Sequence, residues 1–567
     1  MIRTTEVERM NKGYQFCEEK INAPETPAYV RKQMAVFMAV CEGKDPKYEV
    51  SAEKVKQLEN ITKILVMPKG LKAGEPLYNC LCGYQWLFLI GTLCTVYRSN
   101  KKKRRYETGI LEIGRKNFKT FTIATIFIFL FLTEPQFSKF YSVAPVGAQS
   151  REIQSAISEM IRMSPLIYEY KAEKRFKILR DSITFKPLHS EYIPLSYSTS
   201  TMDSRLPNAF CADEVGGLPI AYPVEAMRSG QLNILNKLGF IISTKYPTID
   251  NPMEDEVMYA KRVLDGIEPD ETVFALLYEP DETKGWETND LILKQANPAA
   301  LEVPEIWEDL LKKRAKAIAV ESARENFVTK HCNIIYQGQG TETYVDINDL
   351  MECRRAEVDW RGRTIYVGLD LSQTDDNTAV SIAAVDDDNN ILADSWAFIP
   401  EGRIDEKTAN EKVDYRRMIQ TGKVIPCGDR VIDYSVVEQF VKDLPEKLGV
   451  AVQAVGYDRW NAMSSAQKLE AEGFNMVEIR QHSSVLHPPT KLLKEKILKG
   501  ELKYVKNPML EINFQNARVT EDTNKNIYVT KKRSRGKVDM VVAMINATYL
   551  LEQDCLFGQD DFVVQVL

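Results

Sequence analysis

Apolar residues recur at helical spacing early in the chain: Val30, Met34, Val36, Phe37 and Val40 lie within a charged, helix-favouring stretch from Ile2 to about Leu71. Pro68, Gly70 and Gly74 break that pattern, and an apolar segment follows from Leu77 to Tyr97. Beyond it the period changes. Gly109–Ile113, Phe140–Ala144, Ala209–Ala212, Gly239–Ser243 and Val273–Leu277 are short β-type runs separated by helix-length segments, the alternation of a parallel α/β sheet. Phe121–Leu132 is the most apolar run, and it falls short of the about 18 residues a membrane span requires, so it predicts a buried helix.

Near 355 the pattern restarts. Thr364–Leu371 predicts a buried strand, and Ala379–Val385 and Ile391–Ile399 predict neighbouring antiparallel strands joined by the Asp386–Asn390 turn. Val450–Tyr457 predicts a further buried strand, and Val538–Leu551 an apolar closing helix. The expected organisation is a helical extension over 1–72, a parallel α/β domain over 73–345, a linker over 346–360 and a second α/β domain with a mixed sheet over 361–567.

Composition narrows the class. A chain of 567 residues with 44% hydrophobic and 27% charged residues, 28 Gly and 25 Pro is a folded protein of several domains, not a collagen-like, disordered or disulfide-stapled one. Seventy-four basic against 80 acidic residues leave a net charge of −6, so any nucleic-acid contact must be local. One stretch is suited to it. Lys491–Lys537 holds 13 Lys or Arg against five Asp or Glu, a pattern that also fits a solvated basic face. Ten cysteines without framework spacing point to a reducing compartment; Cys80 and Cys82, with four histidines in the chain, do not make a zinc pattern. Met1–Arg9 lacks the apolar core of a signal peptide, so neither secretion nor a membrane span is expected.

Candidate chemistry gathers at two places. Glu112–Thr120 (Glu-Ile-Gly-Arg-Lys-Asn-Phe-Lys-Thr) follows a β run and opens the apolar helix, the setting of a phosphate loop. There Lys119 would reach the β and γ phosphates and the Thr120 hydroxyl a magnesium ion. Ile113 and Phe118 stand at the two glycine positions of the loop pattern, which leaves an ordinary basic turn as the alternative. Ala209–Glu214 ends in two carboxylates suited to a magnesium shell (Asp213) and to activating water (Glu214). Gly239–Thr244 ends in hydroxyls, Ser243 and Thr244, that could sense the γ phosphate. Three strands with polar carboxyl ends would line one edge of a parallel sheet, where open α/β sheets bind ligands. Gln85, in Tyr84-Gln85-Trp86, could read an adenine edge or face the core.

In the second half Asp370 sits in an apolar strand, Asp458 ends another, and Asp539 opens the closing helix. Such acids could converge on a pair of magnesium or manganese ions for phosphodiester cleavage, with the basic stretch carrying DNA to them. Singly, each could instead be an ion-pair partner or a helix-start acid.

In order along the chain, Gly114–Thr120, Ala212–Glu214, Ile242–Thr244, Gln295–Pro298, Asp370–Thr378 and Val538–Ala543 resemble the large terminase subunit of tailed bacteriophages, from about residue 77 to about 555. The resemblance implies an ASCE-type P-loop ATPase followed by an RNase H-like endonuclease. Such a protein cuts concatemeric viral DNA and drives it through a portal into a procapsid in the host cytoplasm. It implies ATP and Mg2+ (or Mn2+ at the nuclease), and as partners double-stranded DNA, the portal, a small terminase subunit and further copies in a ring. Carried over, Gln85 would contact adenine, Arg115, Lys119 and Thr120 form the Walker A loop, and Asp213 and Glu214 the Walker B pair. Ser243 and Thr244 would be the coupling motif; Asp370, Asp458 and Asp539 would ligate the nuclease metals, with Asp376 an auxiliary acid. Phe118 departs from the family's glycine, and at a positive φ it would cost about 1 to 2 kcal/mol. A docking subunit with a degenerate nucleotide site is the alternative that Phe118 raises; a helicase with an attached nuclease would need a second phosphate loop, which residues 345–567 lack.

Overall fold

The computed structural model describes residues 11–170, 173–198, 202, 203, 205–247, 251–336, 343–372, 377–411, 413–522, 525–531, 534 and 536–557. The chain divides into two compact units between Tyr336 and Gln337. Helix Ile347–Glu352 and strand Arg354–Arg355, within the segment expected as a linker, belong to the second unit, where Arg354 pairs with Tyr504.

The first unit is built on an eight-stranded sheet. From edge to edge its strands are Val273–Leu277, Thr108–Glu112, Leu238–Ser243, Ala209–Asp213, Lys139–Ala144, Ser190–Ser196, Ile183–Phe185 and Phe176–Ile178. The first six are mutually parallel and the last two close the edge as a hairpin. The five strands expected from sequence are all present; the last three are additional. The central strands are buried along their whole length, as parallel strands covered on both faces must be.

Helix Lys119–Thr133 is buried from Thr122 to Phe131, and its uniformly apolar surface has no solvent face to offer. Val30, Met34, Phe37, Val40 and Leu58, from the region before residue 72, pack in the same core as Phe88, Ile126 and Phe274. Gln33 is buried with them, its Oε1 accepting the N–H of Ala275 on the edge strand at 2.9 Å. The N-terminal helices thus share the core of the sheet.

The second unit holds a mixed sheet. Its main path is Arg354–Arg355, Leu502–Val505, Ile391–Ile399, Thr378–Val385, Thr364–Asp370, Ala451–Tyr457 and Met476–Glu478, with Val424–Pro426 also pairing with Ile391–Ile399. Thr364–Asp370 is antiparallel to Thr378–Val385 and parallel to Ala451–Tyr457. Helix Asp539–Phe557 lies directly on this sheet. A Cβ on Gly368 would stand 1.9 Å from the Ala543 carbonyl oxygen, so only glycine permits that approach. Asn546 donates to the Leu369 carbonyl at 2.9 Å and Ser381 to that of Met540 at 3.1 Å, which fixes the helix start beside the end of strand Thr364–Asp370.

Candidate functional site

In the first unit, parallel register sets the polar groups level at one sheet edge. Glu112 pairs with Ser243 and with Leu277, and Asp213 with Ile242. Between strand Thr108–Glu112 and helix Lys119–Thr133 the chain turns through two left-handed residues, Lys116 at φ 73° and Phe118 at φ 61°. The loop has therefore kept a glycine conformation with side chains in place, and Phe118 carries the strain expected at a positive φ.

What holds it there is a pair of asparagines. Buried Asn117 donates to the Gly114 carbonyl and to Asn297 Oδ1, both at 2.9 Å, and accepts the Ala299 N–H at 3.1 Å. Tyr84 donates to the Asn117 carbonyl. Gly114 donates to the Ala296 carbonyl at 3.0 Å, and a Cβ on it would lie 2.6 Å from Asn297 Oδ1. The Gln295–Pro298 segment is thus the clamp of the loop, a role that nothing in its own composition announces.

Lys119 lies in the first turn of the helix with its side chain 10% exposed, and its Nζ is 3.5 Å from Glu214 Oε1. Thr120 follows, half-buried. Helix-start N–H groups and Lys119 together make a site of positive potential. Glu214 has φ 50° and donates its N–H to Asp213 Oδ1 at 2.8 Å. The two acids are driven apart. Burial and the neighbouring Glu214 push Asp213 up to about 7, against Lys119. Burial opposes the charge on Glu214 too, but Lys119, Lys330, the Tyr246 hydroxyl and Arg115 outweigh it and hold that carboxyl below its ordinary value. Glu214 is the ionised member, the state a water-activating group needs.

Ser243 is buried; its Oγ accepts the Gly216 N–H at 3.1 Å and donates to the Thr244 carbonyl at 2.8 Å. Thr244 Oγ1 accepts from Lys330 at 2.8 Å. Arg115 is exposed, with its main-chain N–H donated to the Lys330 carbonyl at 2.6 Å.

Gln85 does not offer an edge to a nucleotide. It is 1% exposed; its Oε1 accepts the Cys82 N–H at 2.9 Å and its Nε2 donates to Thr122 Oγ1 at 2.8 Å. It closes the start of helix Gly83–Cys94 as a capping box and ties it to helix Lys119–Thr133, which corrects the adenine-contact expectation. Beside the loop lies instead a cavity of about 400 Å³ whose lining includes Met67, Leu71, Phe118, Phe121, Val303 and Ile306.

A cluster that the sequence reading missed lies at the same edge. Lys245 Nζ meets Glu112 at 2.9 Å, Glu254 at 2.7 Å and Glu279 at 2.5 Å. One ammonium cannot compensate three buried carboxylates. Lys245 and Lys261 hold Glu279 down to about 2 against its burial, whereas burial pushes Glu112 up to about 8. Glu112 therefore keeps its proton at neutral pH, and Lys245 stays charged.

In the second unit Asp370 and Asp539, 7% and 1% exposed, are brought onto one ammonium: Lys531 Nζ is 2.8 Å from Asp370 Oδ2 and 2.7 Å from Asp539 Oδ1. Burial works against the charge on Lys531, but the two carboxylates hold it well above the usual lysine range. Asp458 follows the neighbouring parallel strand, where Gly368 pairs with Gly456, and stands at the N-cap of helix Arg459–Ala471. Among the described residues only Glu112, Glu254 and Glu279 bring three ligand atoms within 4.8 Å of one another. The convergence of Asp370, Asp458 and Asp539 is thus not closed at that distance. Like-charged carboxylates repel, and Asp370 and Asp539 have gathered on Lys531 instead. Asp376, and Lys532, Arg533 and Arg535 of the basic stretch, lie outside the described residues.

A family model described as the terminase large subunit ATPase domain matches residues 85–262, and one described as the terminase large subunit endonuclease domain matches residues 268–553. The terminase large subunit of Enterobacteria phage HK97 is 25% identical over 495 residues, which cover 85% of this chain and 92% of that protein. Protein YmfN of Escherichia coli K12 is 22% identical over 326 residues, 55% of this chain and 70% of its own. The crystal structure of the HK97 bacteriophage large terminase is similar with 22% identity over 87% of this chain and 99% of that one, at a TM-score of 0.45.

Proposed function

The chain belongs to the terminase large-subunit family, and from that premise we propose that ATP is hydrolysed at Lys119, Thr120, Asp213 and Glu214 and DNA is cut at Asp370, Asp458 and Asp539. As an ATPase and nuclease of this family it packages DNA with ATP and cuts it, using nucleotide and divalent metal. One observation carries the residue assignments: each unit sets a pair of carboxylates at or beside the carboxyl end of a buried strand with a lysine against it, Lys119 on Glu214 in the first and Lys531 on both Asp370 and Asp539 in the second.

In the first unit Lys119 and the helix-start N–H groups take the β and γ phosphates, and Arg115 lies at the loop's exposed side. Thr120 and Asp213 would hold Mg2+, and Glu214 orients the attacking water. Ser243 and Thr244, beside the Walker B turn, connect that site to the rest of the sheet edge. With Gln85 consumed elsewhere, the purine stacks in the apolar cavity against Phe121, Val303 and Ile306, where ring faces are bound without a reading of edges.

In the second unit the donors are all carboxylate oxygens, the ligand chemistry of Mg2+ and Mn2+, and the grip of Asp370 and Asp539 on an ammonium supports a pair suited to positive charge. Bound there, two such ions would supply Lewis acidity to water and to the leaving oxygen. Asp370, Asp458 and Asp539 would hold them, with Asp376 an auxiliary acid. The basic stretch Lys491–Lys537 supports contact with the DNA backbone ahead of Asp539.

The wider setting we propose is a ring of copies on the portal of a procapsid in the host cytoplasm, fed viral DNA by a small terminase subunit. Among the described residues no helix is long and apolar enough to cross a membrane.

The test is reciprocal. With the full chain, Glu214→Gln should abolish ATP hydrolysis and leave metal-dependent cleavage of supercoiled plasmid intact, and Asp370→Ala should do the reverse. Turnover of ATP by Glu214→Gln, or cleavage by Asp370→Ala, overturns the corresponding assignment.

A further inference from the structure

Two residues outside the family motifs converge on the carboxylate of Glu214. Tyr246, three residues past the end of strand Leu238–Ser243, donates its hydroxyl to Glu214 Oε2 at 3.0 Å. Its ring fills space that the Walker B turn keeps open. A Cβ on Gly216 would lie 2.6 Å from that ring, and one on Gly217 would lie 3.0 Å from it. The glycine pair after Glu214-Val215 is therefore shaped around Tyr246. Over the ring, at 3.1 Å from its centroid, stands the ammonium of Lys330, which is also 4.0 Å from Glu214 Oε2.

Lys330 ends helix Glu321–Lys330 and is wired to both other parts of the site. Its Nζ donates to Thr244 Oγ1 at 2.8 Å and to the Lys245 carbonyl at 3.0 Å, and its own carbonyl accepts the Arg115 N–H at 2.6 Å. Glu214 stands at φ 50°, a conformation a non-glycine residue keeps only where its surroundings over-determine it. Of its two oxygens, Oε1 faces Lys119 at 3.5 Å and Oε2 takes the tyrosine and the second lysine. Once Lys119 is drawn to phosphate, the grip on Oε2 is what remains to orient the group.

We propose that Tyr246 and Lys330 are positioning residues for Glu214: they hold Oε2, leave Oε1 toward the attacking water, and tie that orientation to the coupling segment Ser243–Tyr246. This rests on the reading of Glu214 as the water-activating carboxylate. The charged and titratable groups facing Glu214 are Lys119, Lys330, Arg115, Tyr246 and Asp213.

The experiment is steady-state ATP hydrolysis by the full chain, for Tyr246→Phe, Lys330→Met and Lys330→Arg, with Glu214→Gln alongside. Plasmid cleavage and thermal melting check that each variant is folded. Tyr246→Phe and Lys330→Met are expected to lower kcat about tenfold with KM within about twofold, as the loss of a hydrogen bond or charge contact felt in the transition state does. The lost kcat should return in Lys330→Arg, which keeps the cation. Unchanged kcat in both Tyr246→Phe and Lys330→Met, with Glu214→Gln inactive, overturns the positioning role alone. A raised KM at unchanged kcat overturns it also, as a nucleotide-binding effect. Full turnover by Glu214→Gln removes the underlying assignment instead. If Lys330→Met does not fold, Tyr246→Phe, which removes only a hydroxyl, decides.

Discussion

Asp213 with Glu214 in one unit and Asp370 with Asp539 in the other are alike in being buried acid pairs beside lysines, and unlike in how those lysines are held. Lys119 opens a helix whose start is fixed by the Asn117–Asn297 clamp, and Lys330 is anchored on Thr244 and the Lys245 carbonyl. Lys531 instead comes from the turn after a two-stranded ribbon, Val519–Glu521 with Ile527–Val529, and its ammonium rests on the two carboxylates it neutralises. A cation built into the scaffold stays when a phosphate arrives and adds to its binding. On the function proposed above, one that reaches in from a ribbon would exchange for the divalent ion held between the same two carboxylates. Lys245 marks the other extreme, 4% exposed among three glutamates.

The sharpest way to break this comparison is at Lys119. Lys119→Ala should lower ATP hydrolysis by about a thousandfold while plasmid cleavage stays within about twofold, because a fixed phosphate-binding charge is lost from one unit only. Near-normal hydrolysis would mean that the loop does not bind the reacting phosphates.

Removing the exchangeable lysine should show in stability first. Metal-free Lys531→Met should lose about 3 kcal/mol, since two buried carboxylates lose the cation that bridges them, and millimolar Mg2+ should restore much of it. Denaturant melts with and without the ion check this. No loss in the metal-free variant would show that Lys531 does not compensate the pair.

The sealed cluster gives a pH test. Glu112 stands near 8 against an ordinary 4.5, so the stabilisation from its bound proton is complete below about 4.5 and is lost as pH rises through 8. Glu112→Gln keeps a neutral side chain throughout. Relative to wild type it should gain about 3 kcal/mol between pH 5.5 and 8 in urea unfolding of the first unit. A variant that falls behind as pH rises would mean that Glu112 is ionised and needed by Lys245.

The smallest effect is expected at Phe118. Phe118→Gly should stabilise by about 1 kcal/mol and leave ATP turnover equal or faster, because glycine takes φ 61° without strain. A large loss of turnover would mean that the phenylalanine ring, which lines the neighbouring cavity, is itself part of nucleotide binding.

Much of this was legible in the sequence, and the reasons are physical. Strands buried on both faces, such as Ala209–Asp213, appear as unbroken apolar runs, and the acid ending each run is conspicuous. Asp370 and Asp539 were legible for the same reason, a charge beside apolar residues. The residues that hold these groups were not. Tyr246, Lys330, Asn117 and Asn297 are ordinary polar residues whose meaning lies in what the fold sets beside them. Gln85 left both roles open in the sequence, because a capping glutamine and a ligand-reading one look alike until the partners of its amide are known. Glu112 ends an apolar strand as Asp213 does, but its partner Lys245 follows the neighbouring strand, more than a hundred residues on in the sequence. Strand Ser190–Ser196 is hard to read because half-buried residues, among them Glu191 and Pro194, break its apolar pattern.

The exchangeable lysine is tested most directly by anomalous diffraction from crystals of the full chain soaked in Mn2+. The account predicts manganese bonded to Asp370 and Asp539, with Asp458 drawn to the same centre and the Lys531 ammonium withdrawn beyond hydrogen-bond distance of both. Lys531 still bridging the two carboxylates, with no manganese between them, would contradict it.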